Sequence, residues 1–341
     1  MTYEVMQILM YLVLSAAVIM YVVLDGFDLG VGALQIFAGS DENKRIFLNS
    51  IGPFWDGNEV WLIIISGGLF VGFPDVYGVV FSGFYVLFMV FLSGIIFRAV
   101  AIEFRSKRPS AFWRNTWDGV FWLSSLIIIF DSGIILGNLI QGVPVDATRE
   151  LYFPFWDLFT PFTLLIAALS ISLFTLHGNN FLLMKTEGEL SEKLRSWTPW
   201  TTLVFCVLLI VVTLWAWTGH SYMIDRFLLY PLFSLVPIAM VLAIIAMAIA
   251  THYRKYGLSF FCSMITIVIL FSLFAIGYFP NIVISNISPD FNLDLYNASA
   301  SQTTLTVALI IAVIGLPMVF SYGWLIYHVF RGKTQLHEHS Y

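Results

Sequence analysis

Charged residues are scarce in this chain of 341 residues. Asp, Glu, Lys and Arg together account for 11% of the sequence, whereas hydrophobic residues account for 59%. A soluble domain carries about 25% charged residues, because its surface must be hydrated. The low charge content therefore excludes an ordinary soluble protein. Apolar runs of about 20 residues recur along the chain and indicate an integral membrane protein.

Cysteine and histidine are rare as well. The two cysteines, Cys206 and Cys262, lie inside apolar runs and lack the spacing of a metal site. Of the six histidines, only His177 lies clearly within or near the end of a span that carries other polar residues. Bis-histidine haem ligation needs two facing imidazoles at matching depth, and no such pair is evident. We therefore expect no haem ligand, no metal ligand and no catalytic residue in this chain, with electron carriers on a partner.

Common enzyme motifs are also missing. The sequence has no P-loop, no dinucleotide fingerprint and no nucleophile elbow. Its first apolar segment is too long for a signal peptide and carries acidic residues where a cleavage site would lie. We expect this segment to remain in the protein as a helix. Nucleic acid is not an expected partner.

Nine apolar segments predict an all-α, polytopic membrane protein with nine transmembrane helices in a single membrane domain, 1–341. Each segment is far longer than the roughly 10-residue strand of a membrane β-barrel, and none alternates in hydrophobicity. The approximate cores are residues 5–37, 59–74, 78–102, 116–139, 155–178, 200–219, 228–252, 258–279 and 304–330.

The basic residues predict the direction of this bundle. With the N-terminus outside and nine alternating spans, all of the 16 Lys and Arg residues except Arg149 and Arg226 fall on the cytoplasmic side. Cytoplasmic loops carry the excess of Lys and Arg in membrane proteins. We therefore expect an outside N-terminus and a cytoplasmic C-terminus.

Two acidic residues lie within the first predicted helix. Asp25 and Asp28 are three residues apart, so they share one helix face. An ionisable side chain at membrane depth is costly unless it is paired or hydrated, so each is a candidate functional residue. Gly26 and Gly30 in the same segment form a GxxxG pattern, which favours close approach of a neighbouring helix.

Further carboxylates are expected in the cytoplasmic half, with Arg98 as their counter-charge. They are Asp56, Glu59, Glu103 and Asp118. One interpretation is a hydrated route that accepts protons from the cytoplasm. The alternative is structural: Asp56 and Asp118 cap helices, and Asp25 or Asp28 forms a salt bridge with Arg98. Asp131 lies deeper in the fourth helix, towards the outer side, and the sequence does not identify its partner.

The chain resembles subunit II of cytochrome bd-type ubiquinol oxidases, a family that includes a cyanide-insensitive branch. The similarity runs almost end to end, with its motifs in the same order and spacing. These motifs are DGFDLGVG (25–32), NSIGPFWDGNEVWLI (49–63), FSGFYVLFM (81–89), IFRAVAIEFRSK (96–107), GNLIQGVP (137–144) and FPNIVISN…NASASQTTL (279–305). The resemblance implies two four-helix bundles, at 1–140 and 155–280, and a peripheral last helix at 304–330.

The resemblance also implies an activity and partners. The family oxidises quinol and reduces dioxygen to water in the bacterial inner membrane, and it takes protons from the cytoplasm, which generates a proton-motive force. Haem b and haem d are then expected in a partner, subunit I. The haem set, small accessory subunits, and a quinone or phospholipid bound to this chain all stay open.

Site residues are carried over by position from the family. They are Trp55, Asp56, Glu103, Lys107, Asp25, Asp28 and Arg98 for a proton path and Trp61 for an oxygen path. Trp55 and Asp56 match the WD pair of the proton route, and Glu103 stands where some relatives carry Asp. Lys107 matches a basic residue near the cytoplasmic mouth.

Two other classes of function fit the intramembrane carboxylates. An ion-coupled transporter would move its substrate without a partner, although the interrupted helical repeats typical of such proteins are not obvious. A scaffold protein would assemble the oxidase without carrying protons, so turnover would not depend on Asp56.

Overall fold

The structure is a computed structural model, and it describes residues 1–151, 153–219, 227 and 229–336. Eleven α-helices occur in these described ranges, together with short 3-10 helices and one small two-stranded sheet. The helices are α1 (Tyr3–Leu34), α2 (Asp41–Ile51), α3 (Trp55–Gly72), α4 (Pro74–Gly83), α5 (Tyr85–Phe104), α6 (Ala111–Gln141), α7 (Pro161–Lys185), α8 (Gly188–Gly219), α9 (Leu235–His252), α10 (Tyr256–Tyr278) and α11 (Gln302–Val329). The strands are β1 (Asn281–Val283) and β2 (Leu293–Asp294), which pair in an antiparallel manner.

Eight helices of the described ranges are long and apolar enough to cross a membrane, namely α1 and α5 to α11. The predicted all-α polytopic membrane fold is therefore confirmed. α3, which carries two acidic residues in its first turns, is not among the eight. It nevertheless lies antiparallel to α1, with Asn58 beside Asp28 and Gly72 beside Met10. These two contacts are about 27 Å apart along α1, close to the thickness of the hydrocarbon core. A ninth crossing by α3 stays a prediction that this geometry favours.

The predicted third span, 78–102, is interrupted in the structure. Phe84 has non-helical backbone angles (φ −97°, ψ 23°), so α4 ends and α5 begins around it. α4 itself begins with Pro74, which suits the first position of a helix because its missing N–H would have no partner there. Hydropathy alone does not reveal this break, since the residues on both sides of it are apolar.

The predicted fifth span, 155–178, is displaced along the chain. The helix begins at Pro161, because the hydroxyl of Thr160 accepts from the backbone N–H of Thr163 and caps it. Phe155–Leu158 form a separate 3-10 helix. The start of the predicted seventh span, residue 228, lies outside the described residues, as does Arg226.

α1 is the central helix and packs against α3, α6, α7, α10 and α11. Its contact with α7 depends on glycine: a Cβ atom at Gly30 would lie 1.9 Å from the carbonyl oxygen of Phe174, and one at Gly178 would lie 2.4 Å from the carbonyl carbon of Gly30. The Gly26–Gly30 pattern thus marks the α1–α7 contact, with Gly178 opposite. The division into two four-helix bundles and a peripheral helix stays a prediction.

All connections that carry clusters of basic residues meet at one end of the bundle, here called the basic end. It comprises α2, the α5–α6, α7–α8 and α9–α10 loops, and the segment after α11. The ammonium group of Lys193 donates to the carbonyl oxygen of Ala38 at 3.0 Å, and Arg195 donates to that of His252 at 3.3 Å. The other end, here called the distal end, is covered by residues 280–301 and carries Arg149 as its described basic residue.

The segment that follows α11 is fastened to the α7–α8 loop at the basic end. Lys185 donates to the carbonyl oxygens of Phe330 at 2.5 Å and Gly332 at 3.3 Å. In return, Lys333 donates to the carbonyl oxygen of Thr186 at 2.8 Å. These bonds satisfy carbonyl groups at two helix ends and hold the last helix against the bundle.

Candidate functional site

A buried ion cluster lies between α1, α3 and α5. The guanidinium of Arg98, only 1% exposed, donates through Nη2 to Asp25 Oδ1 at 2.7 Å and also contacts the carboxylate of Glu59. The Glu59 side chain is 20% exposed, whereas that of Asp25 is buried. A single cation thus joins a carboxylate in the protein interior to one that reaches the surface.

Asp28 lies one turn further along the same face of α1 and is fully buried. Its Oδ2 accepts from the amide of Asn58 at 2.7 Å, and Asn58 Oδ1 in turn accepts from the hydroxyl of Tyr327 on α11 at 3.1 Å. Asp28 also lies within electrostatic range of Asp25 and Arg98. The cluster therefore contains three carboxyl groups and one guanidinium, held by residues from four helices.

The backbone of α1 is supported by side chains at this level. Asn58 also donates to the carbonyl oxygen of Leu24 at 3.1 Å, and His177 Nε2 lies 2.9 Å from that of Val23. A carbonyl oxygen can only accept, so the His177 Nε2 atom must carry the proton. His177 Nδ1 then faces the hydroxyl of Ser263 at 2.8 Å. Both bonds fix α1 next to its two acidic residues.

Asp118 belongs to a second, separate cluster at the basic end. Its carboxylate accepts from Arg105 at 2.6 Å, from Gln35 at 2.8 Å and lies 3.3 Å from the Lys44 ammonium. The expectation that Asp118 caps a helix is wrong, because Ser110 caps α6 and Asp118 lies two turns inside it. The expected single group of carboxylates around Arg98 is therefore divided, with Asp118 in the second cluster.

Asp41 extends the second cluster towards the surface, outside the spanning segments. Its two oxygens accept from Arg105 at 2.7 Å and Arg114 at 2.9 Å. Partial burial disfavours the ionised form, but the hydrogen bonds and charges of these two arginines outweigh it and lower the pKa of Asp41. This cluster ties α2, α5 and α6 together.

The remaining predicted proton-path residues lie nearer the surface. Asp56 is exposed in the first turn of α3, within electrostatic range of Glu59, and forms no hydrogen bond or ion pair with the described residues. It does not cap α3, since Phe54 precedes this helix without a side-chain bond. Trp55 and Glu103 are half-buried, and Lys107 is exposed at the end of the α5 segment.

Trp61 is buried and lines an apolar cavity of about 690 Å³ between α1, α3, α10 and α11, here called the Trp61 cavity. Its ring packs against that of Phe320, with 5.3 Å between centroids. Asn58 and Tyr327 also line this cavity, so it adjoins the partners of Asp28. A second apolar cavity of about 460 Å³, here called the distal cavity, is lined by α6, α7, α8, α9 and α10 near the distal end.

Two structural partners of the site escaped sequence analysis. Asn58 lies within the WDGNEVW motif, so its position next to Asp56 and Glu59 was a signal that could have identified it. Tyr327 offered no such signal, because 269 residues separate it from Asn58.

Asp131 is buried in α6, and its Oδ2 atom has no hydrogen-bond partner among the described residues.

Comparison with known proteins gives the family. A family model for cytochrome bd terminal oxidase subunit II matches residues 6–330. The chain belongs to this family. It is 32% identical to cytochrome bd-I ubiquinol oxidase subunit 2 of Escherichia coli (strain K12), over 98% of this chain and 96% of that protein. It is 30% identical to cytochrome bd ubiquinol oxidase subunit 2 of Bacillus subtilis (strain 168), over 97% of each chain.

The fold is shared with a solved oxidase. The bd oxidase from Geobacillus thermodenitrificans superimposes with a TM-score of 0.79 over 96% of this chain and 98% of that chain, at 16% identity. Membership of the bd oxidase family confirms the resemblance seen in the motifs. The chain is a multi-pass bacterial membrane protein and a subunit of a quinol:oxygen oxidoreductase. The transporter alternative accordingly finds no support.

The bd family implies haem in the oxidase complex, so the fit of this chain to haem can be tested. The described residues contain no group of three or more His, Cys, Asp or Glu side chains suited to a metal ion. His177, the buried imidazole, uses both ring nitrogens, towards Val23 and Ser263. A haem iron needs a free imidazole nitrogen, so His177 does not fit axial ligation.

Proposed function

We propose that this subunit delivers protons from the cytoplasm to haem b and haem d held by subunit I, through the Arg98 cluster. The observation that carries the proposal is the pairing of Arg98 with one interior and one surface-reaching carboxylate. Ionisable groups inside a membrane are costly and typical of proton relays. Quinol oxidation and dioxygen reduction would then take place on the partner.

The direction of delivery follows from charge. The described Lys and Arg residues other than Arg149 lie towards the basic end, and positive loops remain in the cytoplasm. We therefore place the basic end in the cytoplasm of a bacterial inner membrane, with the N-terminus outside and the C-terminus inside. Lys107 and Glu103 then lie near the cytoplasmic mouth of the route.

The route proposed here begins at exposed Asp56 and passes to Glu59 one turn later on α3. Behind Glu59, the buried groups Arg98, Asp25 and Asp28 exchange the proton, and Glu59, whose side chain reaches the surface, passes it to subunit I. Three carboxyl groups around one guanidinium would carry excess negative charge if all were ionised, and such charge is unfavourable in a buried site. The cluster is thus suited to exchange a proton.

Subunit I should dock on the face formed by α3 and α5. This face carries exposed Asp56 and the partly exposed side chain of Glu59, together with large exposed apolar side chains. These exposed apolar side chains are Ile63, Phe70, Tyr85, Met89, Leu92, Ile96 and Phe97. An apolar surface that surrounds a polar pair is typical of a partner contact, and small accessory subunits would bind elsewhere.

The test compares variants in the intact, haem-loaded oxidase. Glu59→Gln and Asp56→Asn should each lower quinol-driven oxygen uptake, by about 10-fold or more for Glu59→Gln, because proton transfer at such a step contributes 10² or more to the rate. Glu192→Gln is the matched control, since Glu192 forms surface ion pairs with Arg195 and Arg254. Unchanged turnover in both variants, with full haem content, would leave only an assembly role.

The cavities suggest roles for oxygen and lipid. The Trp61 cavity is assigned to dioxygen passage, because its apolar lining favours a small apolar gas. The distal cavity has the size and apolar lining to hold a quinone or phospholipid chain. Organic extraction of the pure complex followed by mass spectrometry would identify which of the two is bound.

A further inference from the structure

Several polar atoms of the Arg98 cluster are buried without a hydrogen-bond partner among the described residues. They are Nε and Nη1 of Arg98, Oδ1 of Asp28 and the hydroxyl of Tyr21. All three side chains are more than nine-tenths buried. Among the described residues, another group of such atoms lies in the second cluster at the basic end, on Gln35, Arg105 and Arg114. Buried donors and acceptors are almost always satisfied, by protein or by ordered water.

These atoms belong to side chains that lie near one another, and the region between them is here called the space of the Arg98 cluster. Tyr21, Asp25 and Asp28 are spaced four and three residues apart on α1, so they lie on one helix face. Tyr21 approaches Asp25 and lies within electrostatic range of Arg98 and Glu59, but its hydroxyl falls outside full hydrogen-bond geometry. The space therefore offers donors from Arg98, an acceptor from Asp28 and a hydroxyl that can do either.

We propose that this space binds ordered water molecules, which connect Tyr21 to Arg98 and Arg98 to Asp28. A buried water typically forms about three hydrogen bonds, and the set of partners here supplies both donors and acceptors. Tyr21 is a positioning residue in this arrangement, since its hydroxyl holds a water beside Asp25. The inference rests in part on the proposed proton route, because these waters would join its members.

The water site gives the route a property that direct ion pairs lack. Arg98 is a permanent cation and does not release a proton, so it cannot relay one between Glu59 and Asp28. A chain of waters around the guanidinium passes a proton by exchange of hydrogen bonds, while Arg98 remains charged. Each water accepts one proton on one side and gives up another on the opposite side, so no water gains or loses a proton overall.

The experiment is a cryo-EM map of the intact oxidase at a resolution that shows ordered water, combined with two tyrosine variants. Tyr21→Phe should lose the density nearest its ring and slow oxygen uptake by about 2- to 10-fold, the effect of one hydrogen bond on a barrier. Tyr11→Phe is the matched control on α1, since the Tyr11 hydroxyl donates to the Ala275 carbonyl oxygen at 2.9 Å, away from the cluster.

The expected results are density within hydrogen-bond distance of Arg98 Nε or Nη1 and of Asp28 Oδ1, and a larger solvent isotope effect in Tyr21→Phe than in Tyr11→Phe. A well-resolved wild-type map without such density overturns the proposal, even if the Tyr21 variant does not assemble. Equal rates and isotope effects in the two variants overturn the role of Tyr21. Density present while Glu59→Gln turns over normally would refute the proton route and leave the water site standing.

Discussion

Replacement of Arg98 by glutamine should make the stability of the oxidase depend on pH. The variant Arg98→Gln removes the cation that, among the described residues, pairs with both Asp25 and Glu59. Breaking a buried ion pair from one side costs about 3–5 kcal/mol, because a charge is left without its partner. The buried carboxylate of Asp25 is the more affected of the two, since Glu59 reaches the surface.

The free energy lost by removing Arg98 has an upper limit, because the buried carboxyl group that loses its partner can take up a proton instead. Keeping a carboxyl group protonated at pH 7, when it would ionise near pH 4 in the unfolded chain, costs about 4 kcal/mol. A carboxyl group that stays buried in the folded variant without its cation would hold a proton that the unfolded chain releases, so the free energy of unfolding falls as pH rises. The slope is about 1.4 kcal/mol for each pH unit above roughly pH 4. The loss of stability relative to wild type should therefore grow as pH rises.

The assay is thermal unfolding of the detergent-solubilised complex between pH 5.5 and 8, a range of about 2.5 units chosen to give a difference of several kcal/mol. The double variant Asp25→Asn, Arg98→Gln should regain part of the lost stability and lose the pH dependence that Arg98→Gln added, since it removes both charges together. The reasoning would be refuted by an equal loss at all pH values, or by a double variant less stable than Arg98→Gln alone.

Three further outcomes are expected. Gly30→Ala should separate α1 from α7 and destabilise the complex by about 1–3 kcal/mol, as overpacking does, whereas Gly257→Ala, with open space around it, should not lower the melting temperature. Asp41→Asn should remove a contribution below about 1 kcal/mol that wild type shows above roughly pH 4 and loses as pH falls through the lowered pKa of Asp41, measured as the difference in melting temperature between pH 7 and about pH 2. Phe320→Trp should fill part of the Trp61 cavity and raise the KM for dioxygen without a change in haem content, whereas an unchanged KM would argue against passage there.

Much of the membrane fold could be predicted because its determinants are local. Apolar runs gave the spans, and the alternation of basic loops agrees with the way α1, α5 and α7 end together at one side of the bundle. The break at Phe84 and the short α2 could not be predicted in this way. The break lies within continuous apolar sequence, and α2 has too few apolar residues to produce a hydropathy signal.

The candidate site was predicted in composition but not in connectivity. The pairing of Arg98 with an acid of α1 was one of the alternatives in the sequence, and the structure shows which acid it is, Asp25. The assignment of Asp118 to a different arginine depends on how α5 and α6 pack, which spacing along the chain does not reveal. The roles of Asp56, Glu103 and Lys107 stay predictions.

The bond between Tyr327 and Asn58 has a consequence for biogenesis. Translation proceeds from the N-terminus, so the segment with Asp28 enters the membrane long before α11 exists. Asn58 can meet Asp28 once α3 has been inserted, but the hydroxyl that orients Asn58 arrives with the last helix, 269 residues later. Until then one side of the cluster stays open towards lipid or insertion machinery. A chain that stalls before α11 would therefore expose this polar face, and quality-control proteases could distinguish such a chain from a finished subunit.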